Sequence, residues 1–447
     1  MEITLDKKSK TEGLITIRLG RADYQPGVEE KVRNYARKAN LKGFRQGKVP
    51  TGVIKQMFGK SILVEEVNQL LSNRLSGYIQ EQKLRIIGEP LPNLEKANTL
   101  DWEAEQDLEF EYQVGLVDDF TYDLSPKVKV TSYTIELDTR VVDETLADLK
   151  KRFGKVTYPE TSEPGDTLVG ELQTSDGSFK KESVLISTED LSEKDQALFI
   201  SRKPDDTIEF AIEKVFDGPA RSKMLGLSLE EANQLKGIYH FRIASISRVE
   251  PAEMNTALYD RVFGKDTVTD QEGFVNKVSE TIRQNYQRET NHFLDHTIED
   301  HFIRNTKINL PEAFLKTWLA HTSKGELTEE VIQKEFDGYL RMLKWDLIKN
   351  RIAEDNSIQV MTEEVKQRAK ELIINQFGGP SVAGQLMDKI DAITDNYLQH
   401  ENGQHFIRIH NQLRNEKILQ LVKQKITITE KKVTLEEFRK IVEEHKH

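Results

Sequence analysis

The chain has 447 residues and no cysteine, which removes disulfides, thiolate chemistry and cysteine-based zinc or iron–sulfur sites. No apolar run approaches the roughly 18 residues of a membrane span, and the opening MEITLDKKSK lacks the apolar stretch of a signal peptide. These absences predict a soluble, cytoplasmic protein without a membrane partner. Gly-rich phosphate loops of either common spacing, a nucleophile elbow and the HExxH set are all missing. Carboxylates are spread so widely that no pair stands out for acid–base work. The chain is therefore expected to have no catalytic residue, no cofactor and no metal ligand, and to work through binding equilibria without a nucleotide.

One absence is local. Residues 31 to 60 hold nine Lys and Arg and not a single Asp or Glu. Residues 1 to 60 carry 14 basic against 6 acidic side chains, a net of +8, which leaves −19 for the rest of a chain whose formal charge is −11. A positive patch on an acidic body predicts one docking surface for a polyanion, with the remainder repelled from it.

What is present reads as about three domains, at roughly 150 residues each. EITL and GLITIRLG alternate as strands, and Val28, Val32, Tyr35, Ala36 and Ala39 recur at helical spacing, with Pro26 expected in the first turn and Gly43 expected to end the helix. Pro50 opens a second helix whose apolar positions run to about Leu84, and DLEFEYQVGL sets Leu108, Phe110, Tyr112 and Val114 on one strand face. VKVTSYTIEL predicts a strand and Asp138 or Thr139 the cap of the helix after it. Between 150 and 250 the texture is turn-rich and β-like, with Asp176-Gly177 as a hairpin signal. Beyond Met254 the patterns are nearly all helical: 271–305, 311–322, 328–356, 362–377, 381–400, 404–425 and 434–446. Fixed-period repeats and low-complexity tracts are absent.

The basic segment centres on NLKGFRQGKVP, Asn40 to Pro50. Gly43 and Gly47, four residues apart, permit positive φ or close backbone approach, so a tight loop can project between two helices. Arg45 offers a planar fork for phosphate, Lys42 and Lys48 offer point charges, and Phe44 can stack on a base or fill a pocket. Charge alone leaves two readings open, a docking finger for folded RNA or a solvated helix connector.

The string Gly43-Phe44-Arg45-Gln46-Gly47-Lys48-Val49-Pro50 resembles the ribosome-binding signature of the bacterial trigger factor family of chaperones, and the helix–loop–helix setting is where that family carries it. LPEAFLKTWL resembles the start of a family arm. The resemblance implies an α+β multidomain chain. A ribosome-docking domain would occupy 1–115, a linker and the first part of the chaperone body 116–148, a small β-rich FKBP-like insert 149–250, and an α-helical body with arms 251–447. It implies docking through Gly43, Phe44, Arg45, Gly47, Lys48 and Lys42 on ribosomal RNA and a tunnel-exit protein. Unfolded nascent chains would be the clients, and a homodimer would form off the ribosome. Other classes are an active prolyl isomerase and a general RNA-binding protein, the latter opposed by the −19 remainder.

The insert departs from the family pattern. FKBP-type isomerases use a dry aromatic cleft to ease rotation about an amide whose barrier is about 18–20 kcal/mol. With Gly165-Asp166 set on the family's Gly-Asp start, Glu171-Leu172 stands where an Asp-Phe pair is usual. LSEKDQALFISRKPDD replaces the Pro-Gly-Phe-Glu turn, and 150–250 has no Trp. Phe179, Phe199, Phe210, Tyr239 and Phe241 are expected in a small core. Elsewhere, His292 and His296 stand at i, i+4 with His301 beyond, and His400, His405 and His410 form a second scatter; both are expected on solvated helix faces. Phe314, Leu315, Trp318, Leu319, Tyr339, Leu340, Met342, Leu343 and Trp345 are candidates for client contact, against the plainer reading of core between arms.

Overall fold

The structure is a computed structural model that describes all residues except 43, 46, 100, 101, 103–106, 324, 377–388, 446 and 447. It divides into two compact units, residues 1–131 with 294–429 and residues 132–293 with 430–447.

In the first unit, β1 (Glu2–Lys7), β2 (Glu12–Leu19), β3 (Ile86–Pro92) and β4 (Leu108–Leu116) form an antiparallel sheet in the order β1-β2-β4-β3. The alternation in β2 drives Ile15, Ile17 and Leu19 to full burial on one face. That face packs on Val67, Leu71 and Leu75, spaced for one stripe of a helix. The helices are α1 (Arg21–Lys38) and α2 (Thr51–Glu81). Helix α1 starts earlier than Pro26 suggests, because Asp23 accepts the Gly20 N–H at 2.9 Å and secures an extra turn. It also stops short of Gly43, at Lys38, with Ala39 extended at ψ 135°. Strand β3 was not foreseen: IIGEPLP holds two prolines and Gly88 at φ 71°, and its register shifts between Ile87 and Leu91.

The helices Glu312–Thr322, Glu329–Asp355 and Ile390–Lys425 share a core in which Phe314, Leu315, Phe336, Ile348, Ile352 and Val422 meet Val128 and Val130. Thr362–Gln376 packs on Ile390–Lys425 through Val365, Ala369, Leu398, Ile409 and Leu413. The latter is broken at 400–403, where the sequence pattern stops and restarts. A strand absent from the sequence reading, Thr427–Val433, pairs with Lys129–Ile135.

In the second unit the segment 155–250 forms a five-stranded sheet. Its longest strand, Ile238–Glu250, pairs with Lys155–Thr157, Thr167–Thr174 and Thr207–Ala211, and Lys180–Ser187 adds to Thr167–Thr174. The hairpin turns at Asp176-Gly177, where Gly177 takes φ 72°. The Ser178 and Thr174 hydroxyls and the Ser178 N–H hold Asp176 down to about 2. The helix Thr139–Arg152 begins where expected, Asp138 accepting the Arg140 N–H at 2.9 Å. It shares a core with Tyr259 and Phe274, whose rings stack at 4.6 Å.

Among the described residues, no helix is long and apolar enough to cross a membrane.

Candidate functional site

The basic loop joins α1 to α2, and a small core fixes its base. Val32, Ala36, Ile54 and Ile62 seal the two helices together, and Val49, 5% exposed, draws the end of the loop into the same cluster. Lys31 clamps α1 to α2 from the side, 2.9 Å from Glu65 and 3.1 Å from Glu66. Burial works to lower the Lys31 pKa, but hydrogen bonds to both carboxylates outweigh it and the net shift is upward. A side chain at Gly27 would collide with Glu66.

Within the loop, the Phe44 N–H donates to the Leu41 carbonyl at 3.0 Å and the Lys48 N–H to the Arg45 carbonyl at 2.9 Å. The second turn needs Gly47, which takes φ 75° with the Arg37 carbonyl 3.2 Å from where a Cβ would stand. Gly43 lies outside the described residues. Lys42, Arg45 and Lys48 are exposed, and Phe44 is 40% exposed. Among the described residues, none of these three cations has a carboxylate partner, whereas Lys31, at the base, has two. Arg37, Lys38 and Lys55 are also exposed nearby in sequence. The loop therefore presents positive charge and one ring on a packed base, without internal neutralisation.

Sequence reasoning missed an apolar ledge on the same hairpin. Tyr35, assigned to the buried stripe of α1, is 45% exposed and lies against Phe58, itself 37% exposed, with ring centroids 6.5 Å apart. Met57 is 56% exposed. The signal was the pair Met57-Phe58 between Lys55 and Lys60, two large apolar residues set among cations beside the basic loop.

The aromatics of the insert form a packed core, as expected. Phe199, Phe210, Tyr239 and Phe241 are at most 4% exposed, with Phe179 packed against them, and Phe199, Phe210 and Phe216 interlock edge to face. Leu172 is fully buried, and Glu171 pairs with Lys180 on the neighbouring strand at 2.9 Å. Asp166, 1% exposed, takes two hydrogen bonds from Arg248 at 2.7 and 2.8 Å and one from the Glu163 N–H at 2.7 Å. Burial pushes its pKa up, yet these bonds and the Arg248 charge prevail and hold it low. Asp166 is an ionised structural anchor.

Most residues considered for client contact are core. Phe314, Leu315 and Trp345 are buried; Trp318, Leu319, Tyr339, Leu340 and Leu343 pack on them; only Met342 stands out, 55% exposed. The exposed apolar side chains of the helical part include Val331, Met361, Leu372 and Ile407. A cleft of about 660 Å³ beside the break at 400–403 is lined by Leu398, Phe406 and Ile407 with Thr362, Lys366 and Asp395. His292 and His296 are exposed, as expected, while His301 and His410 are half-buried; His296 lies beside Asp300, and His400 and His405 are brought together.

Three family models match in succession: "Bacterial trigger factor protein (TF)" over residues 1–149, "Probable trigger factor, FKBP-like domain" over 156–251, and "Probable trigger factor, C-terminal domain" over 291–442. The trigger factor of Pelagibacter ubique is 22% identical, covering 100% of this chain and 90% of its own. That of Chlorobaculum parvum is 22% identical over 98% and 99%. A shorter match, 30% identical over 160 residues, covers 35% of this chain and 34% of the trigger factor of Corynebacterium aurimucosum. A solved structure described as "Promiscuous Substrate Recognition in Folding and Assembly Activities of the Trigger Factor Chaperone" aligns with a TM-score of 0.48 at 16% identity, over 95% of this chain and 100% of that one. Matched over residues 1–149, 156–251 and 291–442 by one family's domains in order, the chain belongs to the bacterial trigger factor family.

Proposed function

We propose that the chain is an ATP-independent, ribosome-associated chaperone in the cytoplasm. It docks through Phe44, Arg45, Lys48 and Lys42 on ribosomal RNA and shelters nascent polypeptides. The observation that carries this reading is the loop itself: exposed cations without carboxylate partners, on a base fixed by Val49 and the Lys31 clamp. Phosphate oxygens supply the missing partners, Arg45 through its fork. The ledge of Tyr35, Met57 and Phe58 suits a protein surface at the tunnel exit, since it offers area without charge. In this reading residues 1–115 dock, 149–250 add a client-binding lobe, and 116–148 with 251–447 form the body. A homodimer forms off the ribosome.

Clients are held by scattered exposed apolar side chains such as Met342, Met361 and Ile407, and by the cleft beside residues 400–403. Each contact gains about 25 cal/mol per Å² buried, so single contacts are weak and clients leave to fold. Docking raises the local concentration of chaperone, which lets client affinity stay low.

The test is cosedimentation with ribosomes. Phe44→Ala with Arg45→Ala abolishes it in moderate salt while the variant still suppresses client aggregation; unchanged cosedimentation rejects the assignment. The packed aromatics of the insert argue against prolyl isomerisation, so the full chain leaves cis–trans exchange of a proline peptide at the uncatalysed rate. Clear acceleration in that assay would overturn this part of the reading.

A further inference from the structure

On an unbroken helix, side chains five residues apart point about 140° away from each other, so His400 and His405 would not meet. The helix Ile390–Lys425 turns a corner between them. His400 has ψ 148°, and Glu401, Asn402 and Gly403 follow at φ 53°, 56° and 83°. Two of these left-handed residues are not glycine, a conformation that costs about 1–2 kcal/mol at each. The corner folds 404–425 back on the preceding stretch. Tyr397 then lies 4.3 Å from His405, ring to ring, and His400 stacks on His405 at 5.5 Å and 27°.

One ring nitrogen from each histidine and a carboxylate oxygen of Glu401 lie within 4.8 Å of one another. His405 Nδ1 is 2.9 Å from the Tyr397 carbonyl oxygen. A carbonyl only accepts, so Nδ1 carries the proton and the lone pair is on Nε2. With Nδ1 held by a backbone carbonyl, the outer support that metal-bound imidazoles use, Nε2 is the nitrogen left to bind an ion. The support is itself anchored: Arg408 donates to the Tyr397 hydroxyl at 3.2 Å, and Tyr397 and Phe406 pack on Val365, Ala369 and Leu398.

We propose that His400, Glu401 and His405 form a binding site for a divalent late transition-metal ion, with zinc the ion of best fit. Two imidazoles and one carboxylate are a borderline donor set that suits zinc and offers little to magnesium or calcium. Zinc bonds of about 2.0–2.1 Å place tetrahedral ligand atoms about 3.4 Å apart, so the three side chains close in on the ion. His400 and Glu401, 67% and 64% exposed, are free to do so. The ion bridges 400 to 405 and fixes the corner. Asn402 and Gly403 of the same corner line the 660 Å³ cleft, so its wall is fixed with it.

Calorimetric titration of the metal-free full chain with zinc chloride tests the site. Wild type binds one zinc that His400→Gln with His405→Gln does not bind, and Glu401→Gln weakens the same event by about tenfold. His410→Gln, on the same helix outside the cluster, leaves it unchanged, and magnesium gives no event. Zinc raises the melting temperature of wild type and not of the double variant, each compared with its own metal-free chain. An isotherm shared by wild type and the double variant, or no zinc event in wild type, overturns the proposal.

Discussion

Gly47 and Asp166 are single residues whose chemistry has a measurable cost. Replacing Gly47 by alanine forces a Cβ into a left-handed position beside the Arg37 carbonyl. Stability drops by about 1 kcal/mol in denaturant titration, and ribosome affinity falls with it because the Lys48 turn is lost. Asp166→Asn removes the buried one of the two carboxylates on Arg248, with Glu163 remaining at 2.9 Å, and destabilises the second unit by about 1–2 kcal/mol. The sign with pH follows from the lowered pKa of Asp166. The ionised form is favoured in the folded state, so its contribution is complete above pH about 4 and is lost as pH falls through the folded value. Acid unfolding of wild type should show this loss, and the Asn variant should lack it. The proposed docking loop stands out in the sequence because charge, glycine and a lone ring fall within eight consecutive positions. Tyr35 was not, because helical spacing marks a stripe without saying where the partner surface ends. The meeting of His400 and His405 was illegible for a related reason: it depends on three left-handed residues, and only one of them is glycine.

At the scale of elements, glycine marks where the sheet of the first unit meets a helix. A Cβ on Gly115 of β4 would stand 2.5 Å from Phe314 Cδ1 and 2.9 Å from Pro311 Cγ, both buried or rigid. Gly115→Ala should therefore cost about 2 kcal/mol by overpacking, read as a fall in the denaturant midpoint. Phe314→Leu made in the same chain should restore part of that loss, because it vacates the space the new methyl needs. Helices such as Thr139–Arg152, Glu329–Asp355 and Thr362–Gln376 were readable to within two residues, since apolar stripes and caps such as Asp138 and Thr328 are local signals, whereas α1 was misplaced at both ends and short helices such as Gly218–Leu225 and Thr256–Phe263 went unread. Strands β3 and Thr427–Val433 were not. The first is disguised by Gly88, Pro90 and Pro92, and the second, TITEKKV, has four exposed positions in succession. It is a strand because Lys129–Ile135 is its partner, about 300 residues away, and no window of sequence contains both.

The whole molecule is governed by its charge division, +8 in the first 60 residues and −19 in the rest. Ribosome binding should weaken steeply as salt rises, and removing Arg45 should lower the slope of log K against log salt by roughly one, the share of a single phosphate contact. Free RNA should bind far less tightly than ribosomes, because the acidic remainder repels any polyanion that wraps beyond the loop. One further property follows from where the largest core gets its parts. Val128 and Val130 are buried in the core that also holds Ile418, Val422 and Ile426, and the Thr427 N–H donates to the Val128 carbonyl at 2.9 Å. At synthesis rates of about 5–20 residues per second, the two valines wait some 15–60 s for those companions. During its own birth this attendant of unfinished proteins is unfinished too: its four-stranded sheet can close early, while the core that takes in Val128 and Val130 is not complete until Ile426 has been made.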